Sequence, residues 1–451
     1  MNATKTSVVF RTALALAAIT FTLAVTARAQ THTLRVLHAF SGFWDGGEPL
    51  TGVIFDSSGN IYGTAGIGGN INACQGYGCG MVYKLSPTTG GGWQETSVFR
   101  FQSLNTGAFP TGNLLFDASG NLFGVDSEGG PSSNCVLFSA GCGLVFELSP
   151  TSTNSWQESV LRTFNNGTGG GALTGGLVAD AAGNFYGAAY IGGNLSDCSP
   201  YGCGNVFRLS PNGSGGWQET VLYNFTGGVD GALPAATLIF DGAGNLYGTA
   251  AQGGSNNTQC QPRSGCGVVF ELSPTASGPW TQTVLHTFTG GSDGSGTFAG
   301  LVFDTAGNLY GTALNAGNLN DCGGGGCGVV FELSPSSGGG WTETVLHTFT
   351  GHNDGGLSFS ALIRDPAGNL YGTASSGGNL SDCGGHGCGV IFKLAPNSSG
   401  GWSETVLHAF TNGWDGSFPQ TPLALGADGN LYGTTGSGGG TGQGVVFSIA
   451  P

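Results

Sequence analysis

Positive charge is what this chain has least of: 11 Lys and Arg stand against 26 Asp and Glu in 451 residues, a net charge of −15. Nucleic acids and anionic membranes are held by clustered Lys and Arg, so neither is an expected partner. Charge of both signs is scarce, at 8% of residues against roughly 25% in an average soluble domain. Long apolar runs are missing as well. Beyond the first 29 residues nothing approaches the ~18 apolar residues that span a bilayer, so membrane insertion is not expected. No stretch shows a capped helical period of apolar residues, which argues against a helical fold. There is no phosphate-binding loop, metal-binding His pair or nucleophile motif, and no cofactor or metal is expected.

What is abundant is glycine, 89 of 451 residues, arranged in a long repeat. The fourth copy reads Leu238-Ile-Phe-Asp-Gly-Ala-Gly-Asn-Leu-Tyr-Gly-Thr249. Its Asn recurs at Asn60, Asn121, Asn184, Asn245, Asn308, Asn369 and Asn430, a spacing of 61 to 63 residues. A fixed long period means one supersecondary unit stacked on itself. Each unit holds four strand-like runs, here named a to d. In the fifth copy they are Thr283–Phe288, Ala299–Asp304, Asn308–Ala313 and Val329–Leu333. Asp-x-x-Gly-Asn turns link b to c, with Asp accepting backbone N–H bonds and Gly in the left-handed position. Ser-Pro, Gly and a Trp link d to the next a.

Four antiparallel strands repeated seven times predict an all-β, seven-bladed β-propeller with b innermost and a outermost. The lone strand a at Thr33–Phe40 is expected to pair beside Val445–Ile449, closing the ring and removing two open edges. The a–b crossings between blades and the c–d loops then share one face.

The first 29 residues read as a secretory signal peptide, leaving 30–451 as the propeller. Lys5 and Arg11 precede an apolar run from Ala13 to Val25, then Ala27-Arg28-Ala29 before Gln30. Export makes the twelve cysteines disulfide candidates. They form close pairs within repeats: Cys74/Cys79, Cys135/Cys142, Cys198/Cys203, Cys260/Cys266, Cys322/Cys327 and Cys383/Cys388. The seventh repeat lacks both members, as local pairing requires. Rings this small remove little chain entropy, roughly 2 kcal/mol each, so the pairs are expected to act as pins for the glycine-rich c–d loops. A secreted, extracellular or periplasmic monomer is expected.

Asp-x-x-Gly-Asn-Leu-Tyr-Gly-Thr followed by Gly-Val-Val-Phe-Glu-Leu-Ser-Pro resembles the bacterial GloVer tandem-repeat family, from Leu34 to Pro451. The resemblance implies an exported repeat protein of unsettled activity and transfers no catalytic residue. Anchored members continue into a C-terminal segment, whereas this chain stops at Ser448-Ile-Ala-Pro451, so release is expected.

Repeat-invariant residues read as structural. Asp56, Asp117, Asp180, Asp241, Asp304, Asp365 and Asp428 share one environment and suit turn capping. Trp93, Trp156, Trp217, Trp280, Trp341 and Trp402 suit packing between repeats. His38, His286, His347 and His408 occupy one strand-a position that also accepts Arg162 and Tyr223, which suggests an exposed site. Glu147 and Arg162 are expected opposite each other in a d–a hairpin. Asp45, Asp230, Asp293, Asp354 and Asp415 recur as Asp-Gly in the crossings, but repeats two and three lack this pair.

Trp44 and Trp414 break the pattern. They precede Asp45 and Asp415 at positions held elsewhere by Val229, Ser292 or Asn353. Exposed aromatics beside carboxylates suit stacking and hydroxyl bonding to sugars. Both crossings flank the seventh blade, whose c–d loop is the shortest. These four residues are the candidate ligand site. The expected function is a secreted binding or scaffold module for a glycan, another extracellular polymer or a protein. A hydrolase or lyase acting at the channel mouth and a purely structural surface protein are the alternatives.

Overall fold

Val-Val-Phe-x-Leu runs bounded by glycines are the strongest strand formers in each repeat, and every one is buried in the centre of a sheet. The computed structural model describes residues 32–451 except 131–134, 136–140, 154, 255–259, 261–264 and 277–278. The proposed signal peptide therefore lies outside the described residues. The described residues form seven four-stranded antiparallel sheets, ordered b-c-d-a within each blade. Blade five, for example, contains Val302–Phe303, Leu309–Ala313, Val329–Pro335 and Trp341–Thr348. Blade seven takes its outer strand from the other end of the chain: Arg35–Ala39 pairs with Val445–Ile449. His32 Nδ1 also lies 2.9 Å from the Ala450 carbonyl. Ring closure is therefore as expected. Among the described residues, helix is limited to short 3-10 turns at Cys74–Gly76, Cys322–Gly324 and Cys383–Gly385.

Packing accounts for each letter of the repeated motif. Asp304 Oδ1 accepts the N–H groups of Ala306 and Asn308 at 2.8 and 2.9 Å, while Oδ2 accepts Asn308 Nδ2 and the Tyr310 hydroxyl at 2.9 and 3.2 Å. Gly307 occupies the left-handed region at φ +88°. The glycine after Tyr is needed for close approach. A Cβ on Gly248 would fall 2.7 Å from the Phe270 ring. The following Thr stitches blades around the centre. Thr249 Oγ1 donates to the Ala299 carbonyl at 2.9 Å, and Thr434 Oγ1 donates to Thr51 at 2.9 Å across the closure. Five of the six repeat tryptophans pack against the Tyr of the preceding blade, as in Trp341–Tyr247 with ring centroids 6.4 Å apart, while Trp217 stacks on Phe185 of its own blade.

All six cysteine pairs are disulfide-bonded within their own loops: Cys74–Cys79, Cys135–Cys142, Cys198–Cys203, Cys260–Cys266, Cys322–Cys327 and Cys383–Cys388. The pairing is as expected, and each pair reaches deeper than its own loop. Cys79, Cys142, Cys203, Cys266, Cys327 and Cys388 are fully buried and each belongs to an apolar cluster between blades. Cys203, for example, is packed in one cluster with Phe225 and Val268. The cause lies in the backbone. The carbonyls of these six residues accept N–H bonds from Phe109, Ala172, Leu233, Gly296, Leu357 and Phe418 of the next crossing, at 2.7 to 3.1 Å. Each second cysteine is therefore drawn under a crossing, and its disulfide ties the outer loop to the core.

The seventh repeat corrects another expectation. Gly426 holds the backbone position of the other turn aspartates, its N–H bonding the Asn430 carbonyl. Asp428 stands two residues later, yet its carboxylate still reaches Asn430 and the Tyr432 hydroxyl. The partners survive although the sequence position has moved.

Candidate functional site

The a–b crossings and c–d loops meet on one face through backbone bonds. Gly69 N–H donates to Phe43 O, and Gly439 N–H to Gly413 O, both at 2.8 Å. No described cysteine on this face or elsewhere is free. Six disulfides point to an oxidising extracellular or periplasmic environment.

Trp44 and Trp414 sit at the tips of their crossings, 56% and 62% exposed. Phe43 beside Trp44 is also exposed. The Arg100 guanidinium lies 5.8 Å from the Trp44 ring centroid, and Arg100 Nε donates to the Trp44 carbonyl at 3.1 Å. The neighbouring carboxylates face inward. Asp415 is buried, accepting Thr411 N–H at 3.1 Å, Thr411 Oγ1 at 2.5 Å and His408 Nε2 at 3.0 Å. Asp45 binds the Ser41 N–H and hydroxyl in the same way. Both residues fix the loops that carry the tryptophans.

The central channel is lined by strand b, or by the residues leading into it, from all seven repeats. It presents Thr174, Ala235, Gly300 and Gln420, with larger side chains at Leu50, Phe298 and Phe359. No titratable group occurs among its described lining residues.

Titratable groups gather instead at the outer seams between blades. At the seam between blades five and six, His347 Nε2 is 3.3 Å from Asp354. Glu404, from strand a of blade six, adjoins both. His286–Asp293–Glu343 and His38–Asp45–Glu95 repeat this arrangement. Burial pushes Glu404 up to about 7, with the Asp354 charge adding to burial and His347 opposing it. Burial also raises Asp354, but bonds from His347 and Thr350 outweigh it and leave the carboxyl below its ordinary value.

These contacts overturn two sequence expectations. The d–a pairing shifts register in every blade, as between Val145 and Phe146. A one-residue bulge re-aims the following side chains. Arg162 therefore faces Val145, and Glu147 faces Ser159. Arg162 pairs across the seam with Glu219 at 2.6 Å. The same bulge turns the histidines into the seam, where only about 20% of each side chain is exposed. The seam glutamates were not singled out from the sequence, although Glu or Gln stands two residues after each of six tryptophans.

Other seams depart from this pattern, and one of them buries an acid of its own. Between blades one and two, Phe99 replaces His and Thr106 replaces Asp. A carboxyl appears instead at Asp126, where five repeats have Ala and the seventh Thr435. Asp126 is fully buried and neither oxygen has a hydrogen-bond partner. Burial, reinforced by Glu158, holds its carboxyl well above the usual range. Among the described residues, no three His, Cys, Asp or Glu side chains form a metal-binding group.

Residues 139–382 and 258–451 match the Gloeobacter/Verrucomicrobia repeat. No curated protein matches the chain. Among solved structures, a gluconolactonase from Xanthomonas campestris is similar at 13% identity and a TM-score of 0.41, covering 77% of this chain and 88% of that one. This likeness carries no assignment of activity. The family match covers more than half of the sequence, and the chain belongs to the Gloeobacter/Verrucomicrobia repeat family.

Proposed function

We propose that the protein is a secreted binding or scaffold module that holds a glycan or another extracellular polymer on its crossing face, through Trp44 and Trp414. The observation carrying this reading is their exposure of more than half, on loops braced by inward-facing Asp45 and Asp415. A large aromatic side chain on a braced loop loses little conformational freedom when a sugar ring stacks on it. The carboxylates preorganise the loops, while the indoles and Arg100 make contact.

The test is a glycan-array screen of residues 30–451, repeated with the Trp44→Ala/Trp414→Ala double variant. Binding that disappears at unchanged melting temperature supports the reading. A melting temperature lowered by several degrees, with no glycan bound, would assign the tryptophans to the closure seam. Release of shortened products would replace the binding module with a hydrolase or lyase.

A further inference from the structure

The crossing from blade one to blade two carries a different departure from the repeat. Elsewhere the second residue after the strand-ending Phe is left-handed: Gly42, Asn166, Gly227, Gly290, Gly351 and Asn412, at φ +56° to +81°. Its N–H closes a small loop, as from Gly227 to the Gly231 carbonyl at 3.0 Å. This residue lies against the preceding blade's disulfide when one is present. A Cβ on Gly227 would fall 2.5 Å from Cys198 Sγ, and one on Gly351 2.5 Å from Cys322 Sγ.

In the blade-one crossing this place belongs to Ser103, which is outside the left-handed region. The loop closes instead from Thr106 N–H to Ser103 O at 3.0 Å. Beside this altered loop and the Cys74–Cys79 disulfide lies a cavity of about 600 Å³. Small-molecule sites occupy about 300–1,000 Å³.

The lining is chemically selective. Cys74, Leu104 and Phe109 supply apolar surface, while Gln75 and Asn105 supply amides. Tyr77 borders the cavity with 68% of its surface exposed. Glu128 lies at the far wall, where the other repeats have only Ile, Gln, Asn or Ser. No Lys, Arg or His lines the cavity among the described residues. An anionic ligand would meet no countercharge and one opposing carboxyl. A sugar ring matches this set, with an apolar C–H face for an aromatic and hydroxyls for amides and a carboxyl.

We propose that this cavity binds a pyranose unit of a neutral oligosaccharide, with Tyr77 stacking on the ring and Asn105, Gln75 and Glu128 bonding its hydroxyls. The site shares no residue with Trp44 and Trp414 and stands independently of the crossing-tip reading.

Calorimetric titration with β-1,4-linked tetrasaccharides of glucose, mannose, xylose and galactose tests the proposal. At least one should bind. Tyr77→Ala and Glu128→Gln should each weaken it by about tenfold, the scale of one lost aromatic or charged contact. Val229→Ala, on an exposed crossing outside both sites, should leave it unchanged. Tyr77 is exposed, so its removal should also leave the melting temperature unchanged. Absence of binding by all four sugars, or affinity unaltered in both cavity variants, overturns the proposal. Binding lost only in Trp44→Ala or Trp414→Ala overturns it too, and assigns recognition to the crossing tips.

Discussion

At the seam between blades five and six, Asp354 is held by its own loop and by His347, with Glu404 alongside. At the seam between blades one and two, Asp126 and Glu158 share a buried space without the base or the capped loop. Both seams bury carboxyl groups, but only the first satisfies its aspartate. A buried polar group costs about 1–3 kcal/mol when left unpaired. The altered crossing thus goes with an unsatisfied acid inside and the cavity beside the Cys74–Cys79 disulfide outside.

The comparison depends on the ring being shut, so the largest expected effect comes from opening it. Deleting residues 32–40 removes buried Leu34 and Phe40 and exposes two strand edges. The loss should exceed the roughly 3–5 kcal/mol of a single large core truncation. A urea midpoint lowered no further than by one such truncation would contradict closure as the main source of cooperativity.

Substitutions at the two contrasted aspartates should have opposite signs. Asp354→Ala should destabilise by about 2 kcal/mol through loss of its loop bonds. Asp126→Ala restores the common repeat residue and should stabilise by about 1–3 kcal/mol. Urea midpoints of the two variants moving in the same direction would break the contrast.

Acidity offers a smaller and more distributed test. Glu95, Glu158 and Glu404 are each raised from 4.5 to about 7, chiefly by burial. Groups raised in the fold contribute fully below their unfolded value and lose that contribution as pH rises through the folded one. Asp293, Asp354 and Asp415 lie below 3.8, so their contribution is present above that value and fades on further acidification. His38, lowered from 6.5 mainly by burial, contributes above 6.5 and loses that contribution as pH falls through its folded value, opposing the glutamates at one seam. The melting temperature should fall by a few degrees, about 2–5 °C, between pH 5 and pH 8. Glu404→Gln should reduce that slope. A flat profile over this interval would show that water screens the seam glutamates.

The finest contrast concerns one hydroxyl. Phe123 replaces the Tyr that bonds the turn aspartate in the other six repeats. Phe123→Tyr should give Asp117 its missing donor and add about 0.5–1 kcal/mol, read as a higher urea midpoint. No gain would mean that the close Phe123–Phe185 contact, with centroids 4.4 Å apart, already fills the space.

Blade number, strand order, disulfide pairing and closure were legible because each follows from a period or from a residue type with a single use. The depth of Cys142 and its counterparts was not, since it depends on which carbonyl the next crossing reaches for. Seam chemistry was hidden by the d–a bulge. A strict alternation of side chains places His286 on an outer surface and Arg162 opposite Glu147, and one extra residue reverses both inferences. The cavity beside Tyr77 was hidden differently. Its signal was the loss of a left-handed position at Ser103, legible only after the other crossings had shown what that position touches. Trp44 and Trp414 stood out directly because they interrupt a repeat.

Closure also imposes an order on synthesis. Most contacts within a blade join residues made close together in time, and each disulfide spans only 5 to 7 positions. The pairing of Arg35–Ala39 with Val445–Ile449 is the exception. The first strand of the propeller to leave the ribosome has its sheet partner in the last strand of the propeller. While the blades between are made it remains a vacant edge able to pair with the wrong neighbour, and only the arrival of that last strand ends the wait.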